Sequence, residues 1–488
     1  MILHFGNVDG LPEVEQEKLN YLEWIWRYHR SANRKKRRYY EGKITLGEVN
    51  LGIALPGPIK RLEIGCAWGA KTVDVLAGRS MFDGFVGCNG TSADLMDKIT
   101  KRNNLISEYY KACTDELEYG CTFGVLSGTT GDARVRFYSP QSAAAAWDDK
   151  EGRIDCGFAF EDLRKDESDV NWSPAHVTFY TSTDSWVLTR DGGQWSAERY
   201  PHDFGRPLMV PMIWNATSDK PFGQSRLKEP IRHLVEGYVR TVANASIGLE
   251  FSTSPQKYLL GVTDDQYDVL ISDKFKQYIG SILAATTNPE TGQNPVVGQF
   301  QQGTIEPHVQ MLRILATQYS AATGLSVTDT GVVNDANPTS SDAIFAQSQT
   351  LISLAQRLNN GNGNALHEIA VMAQAIELGT TPEGLTEDNT ELIAHFKNPA
   401  MPSVAVTADA AIKIASVREN FAQTDVFLEM IGFDQADIRR INLQEQKARG
   451  MAVLEELERE PEQNSMEKIY QQASEDQQQS GRDDEEIH

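Results

Sequence analysis

The 488-residue chain has no run of about eighteen apolar residues, so it offers no helix long enough to cross a bilayer and no membrane partner is expected. Cysteine is scarce. Cys66, Cys88, Cys113, Cys121 and Cys156 are odd in number, irregularly spaced and without a C-x-x-C pair. That pattern argues against a disulfide framework or a thiolate zinc site and for reduced thiols. The nine histidines form no H-E-x-x-H or comparable ligand spacing, so no metal, cofactor or catalytic residue is assigned. The opening MILHFGNVDG lacks a basic segment followed by an apolar one, and no secretory leader is expected. Positive charge is in short supply, with 46 Lys and Arg against 68 Asp and Glu, a net charge of −22. A protein whose task is to grip nucleic acid needs the opposite balance. What remains is 40% hydrophobic and 23% charged, a globular composition long enough for two to four structural regions.

The most regular stretch is residues 220–261. Leu227, Ile231, Leu234, Tyr238, Val242 and Ala245 recur at helical spacing and predict one long amphipathic helix starting at Pro230 and ending before Pro255. Arg232, Glu236 and Arg240 stand four residues apart on another face and are expected to pair, at a few tenths of a kcal/mol each.

Taken in order, residues 11–40 predict a helix with Leu19, Leu22, Ile25 and Trp26 inward, ending in the basic run Arg34–Arg38. That run reads either as a solvated face or as a contact for phosphate or an acidic partner. Residues 61–79 imitate a phosphate-binding loop: an apolar run leads into Gly65-x-x-x-x-Ala70-Lys71-Thr72. Ala70 replaces the glycine whose backbone would wrap a phosphate, and Trp68 crowds the cradle. Residues 92–120 predict a further helix, followed by short alternating strands to about residue 200 with a hairpin turn at Asp191-Gly192. A second helix is expected at 305–323, with Pro307 in its first turn, Leu312, Leu315, Tyr319 and Ala322 inward, and Gly324 ending it. A long helix at 340–378 is expected to kink or open at Asn359-Asn360-Gly361-Asn362-Gly363, since each interior glycine costs about 1 kcal/mol. Residues 405–460 read as helical, and the Gln/Glu/Asp-rich remainder as disordered.

Three motifs in fixed order carry a resemblance. The first is Gly205, Arg206, Pro207, Val210, Pro211 and Asn215, with Pro207 one place early and Asn215 one place late. The second is Pro221, Gly223 and Ser225, and the third Ser254, Pro255, Gln256, Lys257 and Gly261. Further matches are Trp68, Val73, Asp74, Arg79, Gly84 and Phe85 in an outer helix, and Gly324-Leu325 followed by Asn337-Pro338-Thr339-Ser340-Ser341-Asp342-Ala343-Ile344. Ala408–Lys413 completes the set. Over about residues 35–435 the chain resembles the portal proteins of long-tailed double-stranded DNA bacteriophages.

That resemblance implies a helix-rich α+β portal fold assembled as a dodecameric ring. It implies a wing over residues 1–228, a first stem helix at 229–255, a clip at 256–304 and a second stem helix at 305–326. A channel loop at 327–339, a long wing helix at 340–380, a crown at 381–460 and an acidic tail at 461–488 complete it. The implied channel-loop residues are Thr328, Asp329, Thr330, Val332, Val333, Asn334 and Asp335; the stem positions are Arg232, Glu236, Arg240, Glu306 and Arg313. The implied partners are further copies of the chain, double-stranded DNA in the bore, the terminase large subunit, the head–tail adaptor, and the major capsid and scaffolding proteins. The implied location is the virion, after assembly in the host cytoplasm. No enzymatic activity follows, because the motor belongs to terminase. An acidic chain suits a channel through which DNA slides. The competing readings are a nucleotide-dependent enzyme using Gly65–Thr72, and a capsid or adaptor subunit.

Overall fold

A computed structural model describes residues 3–44, 64–87, 93–160, 174–253, 257–260, 296–299, 304–332, 341–400, 404–418, 420–433 and 437–452, with a few single positions between. The chain divides into two compact units, Met1–Ala400 and Met401–His488.

In the first unit, helix α1 (Glu13–Tyr40) follows the extended Pro12, with acidic residues in its first turn and basic ones in its last, as the helix dipole favours. Helix α2 (Trp68–Ala77) is followed by strand β2 (Phe82–Gly87), where the sequence suggested a continuing wing helix. The helix expected at 92–120 is two helices, α3 (Asp94–Asn103) and α4 (Leu105–Tyr119), because Asn104 sits in the left-handed region at φ 50°. Strands β3 (Cys121–Thr129), β4 (Asp132–Tyr138) and β10 (Met209–Ile213) form one antiparallel sheet in the order β10-β3-β4.

A second sheet has the order β1-β9-β8-β7-β6-β5. It contains β1 (Val8–Asp9), β5 (Ala143–Asp148), β6 (Arg153–Phe160), β7 (His176–Tyr180), β8 (Asp184–Asp191) and β9 (Gln194–Pro201). β1 runs parallel to β9; the other pairs are antiparallel. Asp191 pairs with Gln194 across Gly192 and Gly193, whose φ values of 55° and 92° give the expected two-residue hairpin. Period-two alternation sends the faces of this sheet to different cores. Ala144, Ala146, Phe158, Phe160, Trp186 and Trp195 join Leu19, Leu22 and Trp26 of α1, while Ala143, Ala145, Ala159 and Tyr180 face the main core. Trp186 and Trp195, either side of the hairpin, are therefore both core residues.

The main core gathers α2, α4, the β10-β3-β4 sheet and the long helices α5 (Glu229–Thr253), α6 (Glu306–Thr323) and α7 (Ser341–Leu378). α7 runs unbroken through the asparagine–glycine segment, against expectation. Asn362 is fully buried there and its Nδ2 donates to Tyr109 Oη at 2.9 Å and Glu116 Oε2 at 2.8 Å. Tertiary hydrogen bonding offsets the propensity cost of Gly361 and Gly363. After a one-turn helix α8 (Glu387–Thr390), strand β13 (Leu392–Phe396) pairs antiparallel with β2. Residues 381–400, which the resemblance assigns to the crown, thus pack within the first unit.

The second unit contains α9 (Val404–Ala415), α10 (Asp425–Ile431) and a helix α11 over 437–452. A turn with a short 3-10 segment, Phe421–Gln423, interrupts what read as one helical stretch. The disorder expected from residue 461 onward lies outside the described residues. No described helix is long and apolar enough to cross a membrane.

Candidate functional site

α5 and α6 enclose residues 254–305, of which β11 (Lys257–Leu260) and β12 (Val296–Gln299) are described and pair antiparallel, Lys257 with Gln299 and Leu260 with Val296. The chain leaves α5 along one strand and returns to α6 along the other. Leu227 and Ile231 are buried as predicted, and beyond them the seam of α5 continues through Val235, Val239 and Ala243, one position round from the predicted Leu234, Tyr238 and Val242. Leu234, Tyr238 and Val242 lie on its half-buried edge. On α6 the inward residues are Leu315, Ala316, Tyr319 and Thr323, and Ala322 is exposed instead. Leu315 packs over Gly237, where an added Cβ would come within 3.1 Å. Gly324 ends α6 at φ 74°, as predicted.

The motif Gly223-x-Ser225 leads into this helix pair, and its geometry explains its residues. Asn215 turns the chain at φ 53°. Trp214 N donates to the Gly120 carbonyl at 3.0 Å, Gln224 N to the Trp214 carbonyl at 2.9 Å and Arg226 N to the Leu117 carbonyl at 2.9 Å. Ser225 Oγ donates to the Glu118 carbonyl and accepts from Leu227 N at 2.9 Å. These contacts fasten the entry of α5 to the end of α4 and to β10.

Between α6 and α7 the expected loop begins as a 3-10 turn, Val327–Thr330, held by a capping box of Ser326 and Asp329. Thr330 is buried and donates to the Val327 carbonyl at 2.6 Å. Thr328, Asp329 and Thr330 are thus part of a docked turn. Val332 lines a cleft of about 290 Å³ beside Arg313, Ile314 and Val327. Val333, Asn334 and Asp335 lie outside the described residues.

The turn is docked by the segment that imitates a phosphate loop. Trp68 Nε1 donates to the Thr330 carbonyl at 3.0 Å, and Lys71 Nζ donates to the Asp329 carbonyl. Trp68 stacks on Tyr319 with ring centroids 4.6 Å apart, and Tyr319 Oη donates to the Trp68 carbonyl at 2.7 Å. Thr72 Oγ1 donates to the same carbonyl at 2.8 Å. Arg226 is buried between two carbonyls, donating to Thr72 at 2.6 Å and Thr323 at 2.8 Å, and burial lowers its guanidinium pKa to about 10. The ammonium that would meet a nucleotide phosphate is engaged by a backbone oxygen, and Thr72 is buried. Residues 64–66, before α2, are not a strand.

The stem positions do not form one cluster. Glu236 accepts from the Tyr39 hydroxyl of α1. Arg232 Nη1 donates to the Leu227 carbonyl at 2.9 Å and lies over the Tyr39 ring. These contacts take the place of the predicted Arg232–Glu236 pair. Arg240 is exposed on α5, and Glu306 accepts from Gln310 at 2.6 Å at the start of α6. Sequence reasoning missed the buried carboxylates of α4. Glu116 bonds Asn362, and Arg37 Nη1 donates to Glu118 at 3.1 Å. Burial raises the pKa of both carboxyls, that of Glu116 to about 8. Two acids within one turn of a helix that also holds apolar core residues were the available signal. Among the described residues no group of three His, Cys, Asp or Glu is placed to hold a metal ion.

A family model described as phage portal protein, SPP1 Gp6-like, matches residues 20–451. Nothing among the curated proteins matches. Similar solved structures include the virion of a native gene transfer agent particle (TM-score 0.44, 12% identity, 79% of this chain and 89% of that one). They also include the neck of the native particle computed with C12 symmetry (0.44, 12%, 75% and 89%) and the neck of the empty particle computed with C6 symmetry (0.42, 14%, 72% and 86%).

Proposed function

The chain belongs to the SPP1 Gp6-like family of phage portal proteins, and on that premise we propose that twelve copies form a ring at one capsid vertex, through whose bore double-stranded DNA is packaged and ejected. Family membership carries this reading. α5 and α6 are the stem, residues 256–304 the clip that meets the terminase large subunit and then the head–tail adaptor, and the second unit the crown. The wing meets the capsid and scaffolding proteins, and the protein acts in the virion after assembly in the host cytoplasm. Twelve stem helices about 9 Å apart have axes on a circle about 34 Å across, and subtracting a helix width of about 10 Å leaves about 24 Å. A duplex roughly 20 Å wide passes through with little slack.

Light scattering and negative-stain imaging of the purified chain test the assembly. A particle of about 650 kDa, twelve times the 54.3 kDa subunit, with a central hole is expected. A compact dimer at all concentrations, with or without scaffolding protein, would remove the proposal.

We take the bore-lining part of the channel loop to begin at Gly331, a reading supported by the hold of Lys71 and Trp68 on the carbonyls of Asp329 and Thr330. Deleting Gly331–Asp335 is expected to leave rings of unchanged mass that package or retain less DNA in an assembly assay. Wild-type packaging by such rings would take the channel role from this loop.

A further inference from the structure

The 3-10 turn Val327–Thr330 secures its own start but not its own end. At the start the Asp329 carboxylate accepts from Ser326 N at 3.1 Å and from Ser326 Oγ at 2.8 Å, and it is committed there. At the end, a single helical turn leaves its last carbonyls without partners inside it. Those of Asp329 and Thr330 are met from outside, by the Lys71 ammonium and the Trp68 indole of α2. A cation on the last carbonyls is the charge-assisted form of a C-terminal cap. Lys71 is half-buried, and no carboxylate among the described residues pairs with it. α2 is itself held on three sides. Gly69 lies so close to α1 that an added Cβ would overlap the Tyr39 carbonyl oxygen, and Tyr40 Oη donates to Asp74 Oδ1 at 2.9 Å. The Trp68 ring lies 4.7 Å from that of Tyr238 on α5 and 4.6 Å from that of Tyr319 on α6, centroid to centroid. The turn is therefore fastened to a helix that three others immobilise. The chain leaves it at Gly331, at φ 74°, where an added Cβ would meet nothing within 4 Å.

We infer that Lys71 and Trp68 are positioning residues for DNA passage: they keep the four residues Val327–Thr330 wound and docked, and so set how far the channel loop reaches towards the bore axis. The inference rests on the ring reading above, in which the chain beyond Gly331 borders the DNA. A bore of about 24 Å around a duplex roughly 20 Å wide leaves about 2 Å on each side. Unwinding four residues from about 2.0 Å of rise each to about 3.3 Å lengthens the loop by about 5 Å. That exceeds the clearance, so a released turn obstructs a path that a docked one leaves open.

The test uses the full chain. Lys71→Met keeps the aliphatic stem and removes the ammonium; Trp68→Phe keeps a ring on Tyr319 and removes the N–H donor. A melting curve matching the wild type confirms that Lys71→Met folds. Hydrogen exchange is followed by mass spectrometry over residues 326–332 and, as reference, over α6. The Asp329 and Gly331 amides donate within the turn, to the Ser326 carbonyl at 3.1 Å and the Thr328 carbonyl at 3.3 Å. Their exchange is expected to quicken about tenfold or more in both variants, while that of α6 stays unchanged. Particles assembled with Lys71→Met are expected to hold rings of unchanged mass and to lose initial DNA-packaging rate. Lys71→Arg, which keeps a cation on the same carbonyl, is expected to restore both readouts, whereas a packing role alone would leave Lys71→Met like the wild type. If wild-type particles package no DNA, the ring reading fails and this inference falls with it. If they package and Lys71→Met matches them in either readout, this inference alone is overturned.

Discussion

Replacing Gly223 with alanine is expected to destabilise the first unit by about 2–5 kcal/mol, a large share of the 5–15 kcal/mol typical of a native domain. Two effects combine. Gly223 sits at φ 71°, where a Cβ costs roughly 1–2 kcal/mol. That Cβ would also lie 2.2 Å from the Trp214 carbonyl oxygen and 2.7 Å from that of Gly120. Neither oxygen can yield easily, because Trp214 receives Gln224 N and Gly120 receives Trp214 N in the clamp that starts α5. Overpacking against backbone adds about 1–3 kcal/mol. Gly131→Ala is the control: φ is 82°, but an added Cβ meets nothing within 4 Å, so only the backbone strain remains. Thermal or denaturant unfolding of both variants gives the comparison. Equal losses would show that the close approach at Gly223 does not matter.

The second large effect is on pH dependence. Glu116 is fully buried, and burial pushes its carboxyl up to about 8, against a hydrogen bond from Asn362 that favours the charged form. Glu116 Oε1 and Asn362 Oδ1 have no other partner among the described residues, the arrangement a protonated carboxyl can satisfy by donating. Because the folded state holds this proton more tightly than the unfolded chain, its stabilising contribution is fully present below about pH 4.5 and is lost as pH rises towards about 8. Above that range the buried charge costs about 2–5 kcal/mol. Glu116→Gln is neutral at every pH and keeps both hydrogen-bonding functions. It is expected to match the wild type near pH 5 and to exceed it by at least about 2 kcal/mol at pH 9. Asp184 and Glu377 act in the opposite sense: their arginine partners, Arg199 and Arg102, lower their pKa, so their contribution is lost on acidification. The difference between wild type and variant isolates Glu116. Parallel stability curves from pH 5 to pH 9 would show that the group does not titrate in the fold.

Much of the architecture was legible because it depends on local pattern. α1, α5 and α6 appear where periodicity and caps place them, and the β8–β9 turn follows from Asp191-Gly192-Gly193. The errors arise where distant residues decide. Gly361 and Gly363 weaken a helix in isolation, but Asn362 reaches Tyr109 and Glu116, more than 240 positions away in sequence, and α7 continues. β2 is a six-residue strand containing a glycine, and it exists because β13 arrives some 300 residues later. Beyond Ile231 the seam of α5 is Val235, Val239 and Ala243, and Leu315 of α6 packs over Gly237 beside it. The candidate site was half legible. The motif around Gly223 was visible as a motif, but only the clamp explains why each residue is there. Lys71 and Thr72 suggested a phosphate cradle because their spacing nearly fits one, while their partners, Asp329 and Tyr319, are invisible to local reading.

α1 belongs to both hydrophobic cores. Leu19, Leu22 and Trp26 sit in the sheet-side core, and Tyr39, thirteen residues beyond Trp26, sits in the main one. The Trp26 indole donates to the Gln141 carbonyl at 2.9 Å, and Lys36 donates to the Tyr119 carbonyl, so each half of the helix is latched where it lies. A helix shared in this way ties local opening to global unfolding. The six-stranded sheet cannot release the front of α1 without withdrawing support from the end that carries Tyr39. Amide protons on both sides of α1 are therefore drawn into a single cooperative unit, where two separate cores would exchange on their own timescales.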